Sequence, residues 1–197
     1  MDKITPELAV SLGLCYNQTQ CEEAAVAGGK SEYTVDELLL GGFIPHDDAM
    51  YMVCRTEVTP AKVLRDFAAQ VAKNNLATVT SGIPGATPFI KAVDFLQEGD
   101  ADDRPEELAD HAEAVQRFMV SALVIEGPGN WTQPDKIADY KRTLRSAKAI
   151  RGALKANPGE AAYAAAHHTY VGTVSAERAE KGKKLRAHLA KIYKAQS

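Results

Sequence analysis

Long apolar runs, a cysteine framework and a repeated metal-ligand spacing are all missing from this sequence, and each absence removes a class of protein. The most apolar stretch, FMVSALVI at 118–125, is eight residues long. A bilayer core needs about 20, so no membrane span is expected. The opening residues, MDKITPELAVSLG, hold no apolar stretch behind a basic one. No secretory leader is expected there, and the expected location is the cytoplasm. Cysteine is scarce: Cys15, Cys21 and Cys54 are odd in number and too few for a disulfide scaffold. They read as small buried hydrophobes in a reducing compartment.

Chemical signatures are equally sparse. Gly82-x-x-Gly85 is followed by no Lys-Ser/Thr pair, so it is not a phosphate loop. No serine sits in a nucleophile elbow. Asp100-x-Asp102 places Arg104 and Pro105 where a calcium loop needs an oxygen ligand and a glycine. Glu107 and His111 share a helix face, but the doubled Glu-x-x-His of a di-iron bundle is lacking. His46-Asp47-Asp48 looks like a ligand triplet. Consecutive helical residues point about 100° apart, however, and Asp47 reads more simply as a helix N-cap. No metal or cofactor is therefore expected. Trp131, alone in GPGNWTQP, reads as a loop anchor.

What remains is an ordinary globular composition, 45% hydrophobic and 25% charged over 197 residues. Helix starts recur. Thr5-Pro6-Glu7 gives a cap, a first-turn proline and an early acid, and Thr34 with Glu37 has capping-box spacing. Thr59-Pro60 opens a stripe of Val63, Leu64, Phe67, Ala68, Val71 and Ala72. Asn74-Asn75 is its expected end, with a loop over 76–88. A short helix through Phe89, Val93 and Leu96 follows. Another, capped by Asp103 with Pro105 in its first turn, runs to about Glu126. Ile137, Tyr140, Leu144, Ala147 and Leu154 form the seam of the next. Asn157 and Glu160 open a further one, and a last helix starts near Ser175.

The pattern predicts an all-α fold of about eight helices. It reads as one helical domain over 1–197, with a subdivision into an acidic part, 1–127, and basic helices, 133–197. Residues 49–58 are the ambiguous segment. They read as helix in preference to strand, and 76–80 would be the partner if they formed a hairpin in a minor α+β alternative.

Charge is divided along the chain. Residues 1–134 carry 9 lysines and arginines against 21 aspartates and glutamates, a net of −12. Residues 135–197 carry 14 against 5, a net of +9. Between 140 and 159 there are six basic residues and no acid. Lys141, Arg145, Lys148 and Lys155 fall on one helical stripe, and Lys184 and Lys191 add to the basic surface of the last helix. The spacing sets like charges against each other. An acidic partner protein, a nucleic-acid backbone or the protein's own acids at 98–113 would relieve that repulsion.

The leading expectation is a non-enzymatic cytoplasmic interaction module whose basic C-terminal helices face an acidic partner, engaged by Lys141, Arg145, Lys148, Lys155, Lys184 and Lys191. The first alternative is a nucleic-acid-associated protein making phosphate contacts without sequence readout. No zinc knuckle, helix-turn-helix pattern or aromatic ladder accompanies the basic residues. The second alternative is an enzyme or metal-binding protein centred on His167 and His168, which lie between Tyr163 and Tyr170.

Overall fold

The computed structural model describes residues 3–13, 17–124, 134–171, 173 and 175–196. Among them the protein is all-α, with ten α-helices and one π-helical turn. Its extended pairing is limited to an antiparallel bridge between Ile4 and Tyr33. The hairpin alternative is thereby overturned: 49–53 and 76–80 are both helical. Two compact units are present, Met1–Leu64 with Thr173–Ser197, and Arg65–Gly172. The basic residues of the C-terminal third are shared between both units, so the charge division does not coincide with the structural one.

The first unit is built from short, well-capped helices. In α1 (Pro6–Ser11), the Thr5 hydroxyl accepts the Leu8 N–H and Pro6 occupies the first turn. Helix α2 (Gln18–Ala27) opens with a reciprocal box between Asn17 and Gln20. Helix α3 (Val35–Gly41) opens with the Thr34–Glu37 box and closes at Gly42, whose φ of 69° suits glycine. Helix α4 (His46–Val53) starts after Pro45 without a side-chain cap. Asp47 is therefore not its N-cap. It sits in the first turn, where a carboxylate complements the helix dipole, and pairs with Arg178 at 2.5 Å. Helix α10 (Ser175–Gln196) packs on α3 and α4. Leu189 and Tyr193 are its large buried anchors, Lys194 meets Asp36 at 3.2 Å, and Gly182 admits the His46 ring where a β-carbon would lie 2.8 Å from it.

Helix α5 (Ala61–Gly82) contributes its first four residues to this unit and the rest to the second. It runs past Asn74-Asn75, so the loop expected from residue 76 begins only after Gly82. Asn75 explains the difference. Its buried amide donates to the Val71 carbonyl at 2.8 Å and to the Thr169 hydroxyl at 3.2 Å. With its polar atoms engaged locally and across the core, it continues the helix instead of ending it. Val79 is fully buried one turn further on.

Helix α6 (Thr87–Gln97) buries Phe89, Val93 and Leu96 as expected. In α7 (Pro105–Met119) Pro105 fills the first turn, and Arg104, not Asp103, holds the N-cap position. A π-helical turn, Val120–Val124, follows. Val120 is an exposed large hydrophobic residue, at 49%. Cys15, Trp131 and the GPGNWTQP break lie outside the described residues. Helix α8 (Pro134–Ala153) and α9 (Pro158–Tyr170, capped by Asn157) form a tight antiparallel pair. Ala147, Ala153, Ala161, Ala162, Ala165 and Ala166 are fully buried, and a β-carbon on Gly152 would lie 2.9 Å from the Ala164 carbonyl carbon. Small side chains let these backbones approach, and larger ones would force them apart.

Candidate functional site

The acids at 98–113 were one candidate for answering the basic stripe. Five of the eight answer other residues. Arg104 gathers Glu98, Asp100 and Glu107, the last at 3.3 Å. Those carboxylates raise the guanidinium's pKa still further, with Glu98 the largest influence and Asp100 next. Glu113 pairs with Arg117 at 2.5 Å. Asp102 binds Arg65, the largest fully buried side chain of the core. Arg65 also donates to the carbonyls of Ala153 at 3.2 Å, Lys155 at 2.9 Å and Ala156 at 2.9 Å. One buried cation thus satisfies the carbonyl-rich end of α8, where the helix dipole favours positive charge, and fastens the 101–103 turn to it. In the sequence Arg65 passes as a cation between the apolar Leu64 and Phe67, and nothing in the spacing marks it.

Helix α8 turns Thr143, Ser146, Ala147, Ile150 and Ala153 into the core. Of the seam expected from sequence, Ile137, Tyr140 and Leu144 are half-buried, so the buried face is centred further round, on Ala147 and Ile150. Lys141, Arg145 and Lys148 span roughly 60° of the helix circumference on the opposite side, whereas Lys155, expected on the same stripe, lies beyond the helix end at Ala153. Lys141 and Lys155 are exposed, while Arg145 and Lys148 are half-buried. Lys155 reaches Glu160 at 3.0 Å. Among the described residues, Lys141, Arg145 and Lys148 have no carboxylate within 4.0 Å. Of the neighbouring cations, Arg142 meets Asp139 at 3.4 Å, whereas Arg151 donates to the neutral Gln116 side chain at 2.5 Å. Lys184 and Lys191 belong to the other unit. Lys184 pairs with Glu180 at 3.3 Å, and Lys191 is exposed with no carboxylate within reach among the described residues.

Beside this face lies the histidine pair. His167 stacks on Tyr163 with centroids 5.7 Å apart, and meets His168 edge-on at 5.6 Å and Tyr170 edge-on at 5.7 Å. Both Nδ1 atoms are buried without a hydrogen-bond partner. Burial first, then His167 and the cations Lys148, Arg151 and Lys155, lower the His168 pKa from 6.5 to about 4. His168 is thus neutral at pH 7, and its depression registers the positive field of α8. Those cations also work against a metal ion at the pair. Among the described residues no three His, Cys, Asp or Glu side chains converge. Glu107 and His111 diverge in function as well, since Glu107 pairs with Arg104 while His111 stacks on Phe95 at 4.7 Å. His46, packed under α10, has its pKa lowered to about 4 by burial and by Arg186, against the opposing pull of Asp47.

The buried Cys54 thiol is pushed up by desolvation, which suits a packing role. No helix of the described residues is long and apolar enough to cross a membrane. Compared with known proteins, the chain matches no family model, no curated protein and no solved structure.

Proposed function

We propose that this protein is a non-enzymatic interaction module of the cytoplasm that binds an acidic protein segment along the outer face of α8. One observation carries the reading. Among the described residues Lys141, Arg145 and Lys148 have no carboxylate partner, and five of the eight acids at 98–113 are engaged by Arg104, Arg65 and Arg117. Like charges three and four positions apart repel, and an anionic ligand laid along the face removes that repulsion. Lys155 extends the face, with Glu160 as an exchangeable neighbour. Lys184 and Lys191 supply a separate basic patch on α10.

The experiment uses a fluorescent peptide of twelve Asp and Glu residues and, in parallel, a duplex DNA of similar charge. The full chain is expected to bind the peptide, with affinity falling steeply as salt rises. Replacing Lys141, Arg145 and Lys148 together by Glu is expected to weaken binding at least tenfold. Because Arg145 and Lys148 are half-buried, circular dichroism is used to establish that the variant keeps its helical fold, and the single variant of the exposed Lys141 is expected to weaken binding in the same direction. Unchanged binding by the triple variant overturns the proposal. Binding of the duplex in preference to the peptide replaces it with phosphate recognition.

A further inference from the structure

Unit 1 holds a feature unrelated to the basic face. A half-open cavity of about 230 Å³ lies among α1, α2, α3 and α4, walled chiefly by Ile4, Ala9, Ala24, Tyr33, Phe43 and Met52. Tyr33 and Phe43 form one side as paired rings, centroids 4.4 Å apart and planes 32° from parallel. Two glycines make room for this pair. A β-carbon on Gly28 would strike the Tyr33 hydroxyl, and one on Gly41 would strike the Phe43 ring.

Several polar atoms around the cavity are already engaged within the protein. The Thr5 hydroxyl accepts the Leu8 N–H at 3.3 Å, and the Gln20 side chain accepts the Asn17 N–H at 3.0 Å. The Tyr33 hydroxyl donates to the Ala25 carbonyl at 2.8 Å and accepts the Lys30 N–H at 3.1 Å. Among the described residues no lysine or arginine lines the cavity, and the charged side chain that does is Asp48.

We propose that this cavity binds a small uncharged planar aromatic molecule of one or two fused rings. An apolar cavity of about 150 Å³ accepts benzene, so this one has space for a somewhat larger ring system. Flat rings fit the Tyr33–Phe43 wall, and the Met52 thioether in the lining adapts to them. A strongly polar ligand would give up hydrogen bonds to water and regain few from a lining that is mostly apolar. A carboxylate would find no lysine or arginine among the described lining residues. Cys21 lines the same cavity and is half-exposed, so its alkylation reports occupancy.

The test adds indole, naphthalene and octanoate separately to the full chain. Indole and naphthalene are expected to saturate one site, to slow iodoacetamide labelling of Cys21 at least fivefold, and to show nuclear Overhauser contacts with the Met52 methyl and the Phe43 ring. Octanoate is expected to do neither. Ala24→Leu, which fills the cavity, is expected to weaken indole binding at least tenfold. The proposal is overturned if neither aromatic saturates a site up to its solubility, if octanoate protects Cys21 equally, or if a folded Ala24→Leu variant binds indole undiminished. Should that variant fail to fold, contacts in the wild-type protein decide: bound indole that touches neither Met52 nor Phe43 overturns the assignment.

Discussion

The acidic stretch at 98–113 and the basic face of α8 carry comparable densities of charge and end in opposite conditions. Half of the acids are held by two arginines of the same unit, three around Arg104 and one on the buried Arg65. The bases point outward, and three of them have no carboxylate within reach among the described residues. A charge run is therefore not informative by its density. What separates a structural cluster from a surface open to a ligand is whether counter-charges are already supplied by the fold.

The largest test of that contrast is Arg65→Met. It removes a buried cation from Asp102 and from three carbonyls, and a loss of about 3 kcal/mol in denaturant unfolding is expected. A loss below about 1 kcal/mol would show that the acidic turn is held by something else. A smaller effect is expected from Arg104→Glu, which sets a fourth acid among Glu98, Asp100 and Glu107. The melting temperature should fall and recover in part with added salt, as screened repulsion requires. If salt makes no difference, the three pairs do not act through charge.

The smallest effect reads the basic face itself. The unfolded chain takes up a proton on His168 near pH 6.5, whereas the folded protein resists until about pH 4. Stability is therefore at its plateau above pH 6.5, declines as pH falls from 6.5 to 4, and flattens below. Half exposure screens the effect, so this histidine accounts for about 1 kcal/mol of the decline. Lys148→Glu should raise the His168 pKa in an NMR titration, and so should binding of the acidic peptide. A His168 titration indifferent to both would mean that burial alone sets its value and that α8 projects little field.

Much of this architecture was legible because it rests on local chemistry. Thr5, Thr34 and Asn157 announce their helices by side chains that accept the orphan N–H groups of the first turn. Asn17-x-x-Gln20 carried the same signal and could have been read the same way. The failures arise where distant residues decide. Asn74-Asn75 resembles a stop until Thr169 supplies a partner from another helix. Asp103 and Asp47 resemble caps, but the chain enters those helices at Arg104 and Pro45. The basic stripe followed from helical spacing alone. Its lack of counter-ions did not, because the acids that might have met it were claimed by arginines 37 residues away in one case and within six in another. The aromatic cavity was invisible for a further reason. Its walls come from four helices whose separate patterns look like ordinary core.

The discontinuity of unit 1 sets an order of assembly on the ribosome. Residues 65–172 form one uninterrupted unit, whereas the first unit needs both Met1–Leu64 and Thr173–Ser197. Helices α3 and α4 emerge early and wait, apolar faces uncovered, until the last 25 residues are made. At about 5–20 residues per second that delay lasts about 7–30 s. A nascent chain whose residues up to 172 have just cleared the ribosome would thus present a complete second unit and an incomplete first one, open to chaperones until the segment from 173 follows.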